Sequence, residues 1–232
     1  MFDIIFKNVI FQIANYNFTI FALAVLLTSC IILAVGIITL IREKVSRESV
    51  LFFLVILSVF LWLFPDSFMY VSPDEETAIW WDKIACLGFP FIPTALFQFT
   101  IFALRTYPSQ QRKAWIAWIL SLFFSLWALT SNNFILGAEL YPWGYFTYYG
   151  WPSIPFLVFF LYMLFASLLQ YYKKTREETS PIAKLRTRLL FRAILVADLG
   201  IIEFLPTLGV PIPPLAFIPV LSFVFLGAPV IW

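Results

Sequence analysis

Apolar residues run through this chain in seven long stretches, and polar residues collect in the gaps between them. The stretches lie near residues 17–41, 49–70, 78–104, 113–131, 151–172, 188–206 and 213–232. Each is close to the roughly 20 residues that an α-helix needs to cross about 30 Å of hydrocarbon. The pattern predicts an all-α, polytopic membrane bundle of seven transmembrane helices. Little chain is left over for an aqueous domain, so residues 1–232 read as a single domain.

Breaks within the pattern add detail. The third stretch contains Gly88-Phe89-Pro90-Phe91-Ile92-Pro93. Proline inside a helix removes a hydrogen bond and kinks it. In a membrane the freed carbonyls need partners from neighbouring helices, so this stretch is expected to be packed by protein at that depth. The gap at 132–150 is aromatic and reads as a short loop holding Phe134, Tyr141, Trp143, Tyr145, Phe146, Tyr148 and Tyr149. Pro181 reads as the start of the helix that continues into the sixth stretch. A Pro- and Gly-rich turn from Pro206 to Pro214 joins the last two.

Charge then orients the bundle. Of the 15 Lys and Arg residues, all but Lys7 and Lys83 fall between Arg42 and Arg47, Arg105 and Lys113, or Lys173 and Arg192. Cations stay on the cytoplasmic side of short loops. The expected arrangement is N-terminus out and C-terminus in, in the plasma (inner) membrane. Acids run the other way. Asp66, Asp74, Glu75, Glu76 and Asp82 read as one outer loop, with Glu139 in the next. At 62% hydrophobic and 12% charged, the chain is far from the roughly 25% charged residues of soluble domains. The first 16 residues have neither a basic region nor a small-residue cleavage site, so the first helix reads as a retained anchor behind a short outer tail.

Several chemistries are excluded. There is no histidine, which removes bis-histidine haem, most zinc sites and Ser-His or Cys-His hydrolases. It also removes the phosphoacceptor of a histidine kinase from these residues. No P-loop or dinucleotide-type glycine pattern occurs. No catalytic constellation, cofactor or metal site is expected. Cys30 and Cys86 fall in different spans and read as buried thiols without a disulfide. A rhodopsin would need a lysine in the last span, and 213–232 has none. The basic loops follow from topology and would meet anionic lipid heads; no nucleic-acid partner is expected.

The residues that could carry a function lie toward the outer side. Asp198 and Glu203 stand inside the sixth stretch, where an acid costs about 2.5–3.5 kcal/mol and usually faces a cavity or a partner. At helical spacing they are about 140° apart, so they need not share one site. Two readings stand side by side. In one, Glu203 reaches the headgroups and Asp198 is hydrogen-bonded by neighbouring helices; in the other, they bind a ligand or proton. Lys83, beside Asp82, could serve them as a counter-charge, although a surface pair with Asp82 or Glu76 is the plainer reading. Trp80, Trp81, Trp143 and Tyr148 belong to a thick aromatic layer, either an interfacial belt or the roof of a pocket between helices. The candidate ligand-binding set is therefore Trp80, Trp81, Lys83, Trp143, Tyr148, Asp198 and Glu203.

From the third stretch onward the chain resembles the seven-transmembrane N-terminal sensor region of bacterial histidine kinases, which also precedes diguanylate cyclases and related signalling enzymes. The resemblance rests on Gly88-Phe89-Pro90-Phe91-Ile92-Pro93 leading to Phe97-Gln98-Phe99, on the aromatic segment Tyr141–Trp151, and on the basic loop with Arg186 and Arg188. It rests also on Glu203-Phe204-Leu205-Pro206 followed by Gly209 and Pro213-Pro214. It extends from about Phe18 to Trp232. A histidine that often follows the paired prolines near Gln98 in this family is missing here. The resemblance implies a sensory input domain whose last helix passes a ligand or membrane signal to a cytoplasmic effector in cis. Because the last helix should reach the cytoplasm near Trp232, that effector is expected to follow in a longer parent protein. Expected partners are the bilayer, a small apolar or amphipathic ligand and a second copy in a homodimer. The alternatives are a small transporter or channel, disfavoured by few polar midplane positions and no internal repeat, and a membrane anchor or dimerisation scaffold.

Overall fold

The computed structural model describes residues 16, 18–206, 210 and 212–223. Helix α1 covers Ile20–Arg42 and α2 covers Arg47–Met69. Each starts on a side-chain cap that satisfies an otherwise orphaned amide: Thr19 Oγ1 accepts from the Ala22 amide at 3.3 Å, and Ser46 Oγ from the Ser49 amide at 3.2 Å. The tight connection between them passes through Lys44 and Val45, both at positive φ (50° and 56°). Helix α3, Glu75–Ala85, is capped by Asp74, whose carboxylate accepts from the Thr77 amide at 2.8 Å. Glu75 and Glu76 in its first turn complement the positive helix end.

The third stretch is a broken helix. After α3 the chain makes a 3-10 turn at Phe89–Phe91 and resumes as α4, Ile92–Ala103. The partners that the prolines demand come from α5, Tyr107–Thr130. Ser121 Oγ donates to the Pro90 carbonyl at 2.8 Å, and Ser125 Oγ donates to the Cys86 carbonyl at 2.8 Å. The two serines are four apart and so share one helix face. Gly88 lets the break press against α2, because a Cβ there would lie 2.3 Å from the Ser58 carbonyl oxygen.

The expected loop at 132–150 is instead an antiparallel hairpin, β1 (Ile135–Tyr141) with β2 (Gly144–Tyr149). It is the one departure from helix among the described elements. The hairpin is docked on the ends of α2 and α3. The Tyr145 amide donates to the Tyr70 carbonyl at 3.1 Å, and the Ala138 amide donates to Glu75 Oε1 at 3.2 Å. Gly144, at φ 132°, touches the Tyr70 backbone so closely that a Cβ would sit 1.9 Å from its oxygen.

Helix α6, Ser153–Glu177, returns to the end of the bundle that carries the Lys/Arg loops, and α7, Pro181–Asp198, leads back. Pro181 does open that helix, which then tightens into a 3-10 segment at Leu199–Phe204. Residues 217–223 are helical. Among the described residues, five helical segments are long and apolar enough to cross a membrane: Ile20–Arg42, Arg47–Met69, the broken Glu75–Ala103, Tyr107–Thr130 and Ser153–Glu177. The tail before residue 16 and the completion of the seventh span lie outside the described residues. Large apolar side chains point outward from the bundle, among them Leu27, Ile119, Val158 and Phe165, as a lipid-facing surface requires. The interior is aromatic and aliphatic, with Phe52, Phe97, Phe99, Phe156 and Tyr171 fully enclosed. Both cysteines are free; Cys86 is buried, but Cys30 lies exposed on α1, which corrects the expectation that both thiols are enclosed.

Candidate functional site

Beneath the hairpin, three carboxylates are gathered in the interior. Asp66 sits in the last turn of α2, Asp82 on α3, and Glu203 in the 3-10 segment after α7. Their exposures are 4%, 3% and 9%, and all three line one small cavity. No Lys or Arg lines it. The rest of the wall is mainly aromatic: Trp62, Phe89 and Phe204 from the bundle, Phe146 and Tyr149 from the hairpin. Helical spacing brings the acids inward. Trp62 and Asp66 are four apart on α2, and Ala78, Asp82 and Ala85 form a buried stripe on α3.

Each carboxylate has a distinct environment. Glu203 is held on both oxygens. Tyr70 Oη donates to Oε1 at 2.6 Å, while the amides of Leu215 and Ala216 donate to Oε2 at 3.2 and 2.9 Å. Glu203 thus caps the approach to helical residues 217–223, serving orphan amides as an N-cap does. Asp82 accepts from Tyr149 Oη at 3.0 Å through Oδ1, whereas its Oδ2 is buried without a hydrogen-bond partner among the described residues. Thr147 lies beside the same carboxyl, its hydroxyl directed to Met69 Sδ at 3.9 Å. Burial, reinforced by the Asp82 charge, holds the Tyr149 phenol well above its ordinary pKa, so it stays a donor.

A second, somewhat larger cavity adjoins the first and shares Trp62, Phe89 and Phe204 with it. Phe89 stands between the two, with its ring 5.4 Å from Trp62 and 5.1 Å from Phe204. The second wall is apolar, including Val55, Val59, Leu96, Phe160 and Phe223; its one ionisable group is Asp198, whose Oδ2 is buried and unpartnered among the described residues.

Of the residues singled out from the sequence, Asp198 and Glu203 line these adjoining but different cavities, and the other five lie elsewhere. Glu203 is enclosed rather than at the headgroups. Trp81 stacks on Phe68 at 4.8 Å and donates to Tyr16 Oη at 3.0 Å, with Trp80 edge-on to it. Lys83 donates to Asn132 Oδ1 at 3.1 Å and lines neither cavity. Trp143 stacks on Tyr141 in the hairpin turn, and Tyr148 is 44% exposed. Asp66, Tyr70, Asp82 and Tyr149 escaped the sequence reading, which had placed both aspartates in an outer loop.

The described residues thus form a helical bundle with membrane-length apolar helices and a buried polar cavity near one end. The family described as the N-terminal 7TM region of histidine kinase matches residues 24–232, and the chain belongs to that family. It is accordingly a multi-pass membrane region of the sensory kind that the family places at the N-terminus of a histidine kinase. Comparison with curated proteins and with solved structures gives no match.

Proposed function

We propose that this domain senses a small apolar or amphipathic ligand in the paired cavities and passes the state of occupancy to a cytoplasmic effector through its last helix. Seven spans cross the plasma membrane, with the hairpin outside and the basic loops inside, as the cation distribution requires. The effector follows in cis, and a kinase module is the type that the family description favours. Asp198 and Glu203 face the ligand, while the aromatic residues of α3 and the hairpin stabilise the outer end.

One observation carries this reading. Glu203 lines the first cavity and, with the same carboxylate, holds Tyr70 at the end of α2 and the amides leading into the last helix. A ligand that competes for, or reinforces, those bonds has different affinities for two positions of that helix. Such a difference is the thermodynamic requirement for signalling. The test is phosphoryl incorporation by the full-length protein in membranes. Glu203→Ala is expected to shift basal output at least threefold, whereas Ile119→Leu on the lipid-facing surface leaves it within twofold. Unaltered output from a well-folded Glu203→Ala protein would remove the link.

A further inference from the structure

The chemical class of the ligand follows from what the first cavity lacks. Three carboxylates more than nine-tenths buried share a wall that contains no cation. An uncompensated buried charge is costly, and buried charges are normally paired. Glu203 is satisfied by three donors, yet Asp82, with Thr147 beside it, presents an enclosed Oδ2 that takes no hydrogen bond of normal geometry among the described residues. Among the described residues no three or more acids, Cys or His are placed to hold one metal ion, so the acids surround the space without converging as a chelate would. Between them stand the rings of Trp62, Phe89, Phe146, Tyr149 and Phe204, and aromatic faces attract cations.

Resting on the sensory reading above, we infer that the first cavity binds the protonated amine head of an amphipathic ligand whose apolar tail occupies the second cavity. The head must carry N–H donors, because Asp82 Oδ2 needs a hydrogen bond as well as a positive charge. A quaternary ammonium supplies the charge alone. The tail passes the Trp62, Phe89 and Phe204 rings common to both cavities and reaches the Val55, Val59 and Phe223 wall. Asp198 lies along that second wall, outside the head site.

The experiment uses the full-length protein in nanodiscs of zwitterionic lipid, with empty nanodiscs subtracted. Titration calorimetry compares n-octylammonium, octyltrimethylammonium, 1-octanol and octanoate. Octylammonium is expected to bind saturably at one site, at least tenfold tighter than each of the others, and Asp82→Asn should remove that advantage. A second measurement leaves Asp82 intact. In a Cys30→Ala background, octylammonium should slow modification of Cys86, which lines the cavity, by a small neutral thiol reagent, and 1-octanol at equal concentration should not. Equal binding of octanol and octylammonium would overturn the amine assignment while leaving an apolar ligand site in place. Absence of saturable binding by octylammonium would also overturn it. The Glu203→Ala output then judges the sensory reading separately.

Discussion

Tyr70 and Glu203, 133 positions apart in the chain, are joined by a buried hydrogen bond of 2.6 Å. The phenol ends α2, and the carboxylate precedes helical residues 217–223, so a single contact ties the end of α2 to the approach to that helix. Tyr70→Phe removes the donor and leaves a buried carboxylate oxygen short of a partner. Such a loss costs about 1–3 kcal/mol. The expected outcome is a lower melting temperature in detergent, accompanied by altered basal output. An unchanged melting temperature would mean that water replaces the phenol.

Gly144 marks where the hairpin meets α2. A methyl group there would meet the Tyr70 carbonyl oxygen at 1.9 Å and sit on a backbone at φ 132°. The φ strain alone is worth about 1–3 kcal/mol, and the clash adds to it. Gly144→Ala should therefore loosen the hairpin and speed protease cleavage within 135–149, while the α5 region stays resistant. Cleavage rates equal to those of the unaltered protein would contradict the docked geometry.

The serines of α5 are expected to matter more than their size suggests. Ser125→Ala orphans the Cys86 carbonyl, and Ser121→Ala orphans that of Pro90. Each substitution should cost about 1–3 kcal/mol, measured by thermal unfolding. Ser109→Ala is the comparison, since its exposed hydroxyl bonds only to the neighbouring Thr106 carbonyl and should cost little.

High pH probes the hairpin contact. Burial raises the pKa of Tyr149 above the ordinary 10.0, with the Asp82 charge adding to the shift. A phenol whose folded pKa is raised contributes stability in full below the unfolded value, and that contribution is lost as pH climbs toward the folded one. Ultraviolet difference titration should therefore show no tyrosinate signal near pH 10 that Tyr149→Phe abolishes. Loss of such a signal in the variant would show that the phenol is solvated.

Orientation can be read with single cysteines in a protein cleared of Cys30 and Cys86. A cysteine at Tyr148 should react with an impermeant reagent in intact cells, and one at Lys44 only after permeabilisation. The reverse pattern would invert the bundle.

Much of this was legible beforehand. The stretches at 17–41, 49–70 and 151–172 anticipate Ile20–Arg42, Arg47–Met69 and Ser153–Glu177 closely, because hydropathy is a local property. Pro90 announced the broken third span and its need for foreign donors. The hairpin was overlooked although Tyr141-Pro142-Trp143-Gly144 is a good turn between strand-forming residues, since an interfacial belt accounts for the same aromatics. Asp66 and Asp82 were misplaced for a deeper reason. Counting charge assigns every acid near a helix end to water, while their enclosure depends on Phe146 and Tyr149 folding back over them. That closure is a tertiary event which no window along the chain contains.

The six residues Leu199–Phe204 are wound as a 3-10 helix beside the cavity. A 3-10 helix rises about 2.0 Å per residue at three residues per turn, against about 1.5 Å and 3.6 for an α-helix. Relaxing this segment into the wider coil would shorten it by about 3 Å and unwind it by about 120°. Glu203 rides on that coil, so a modest change of pitch would act on the final span as a screw, combining axial travel with rotation.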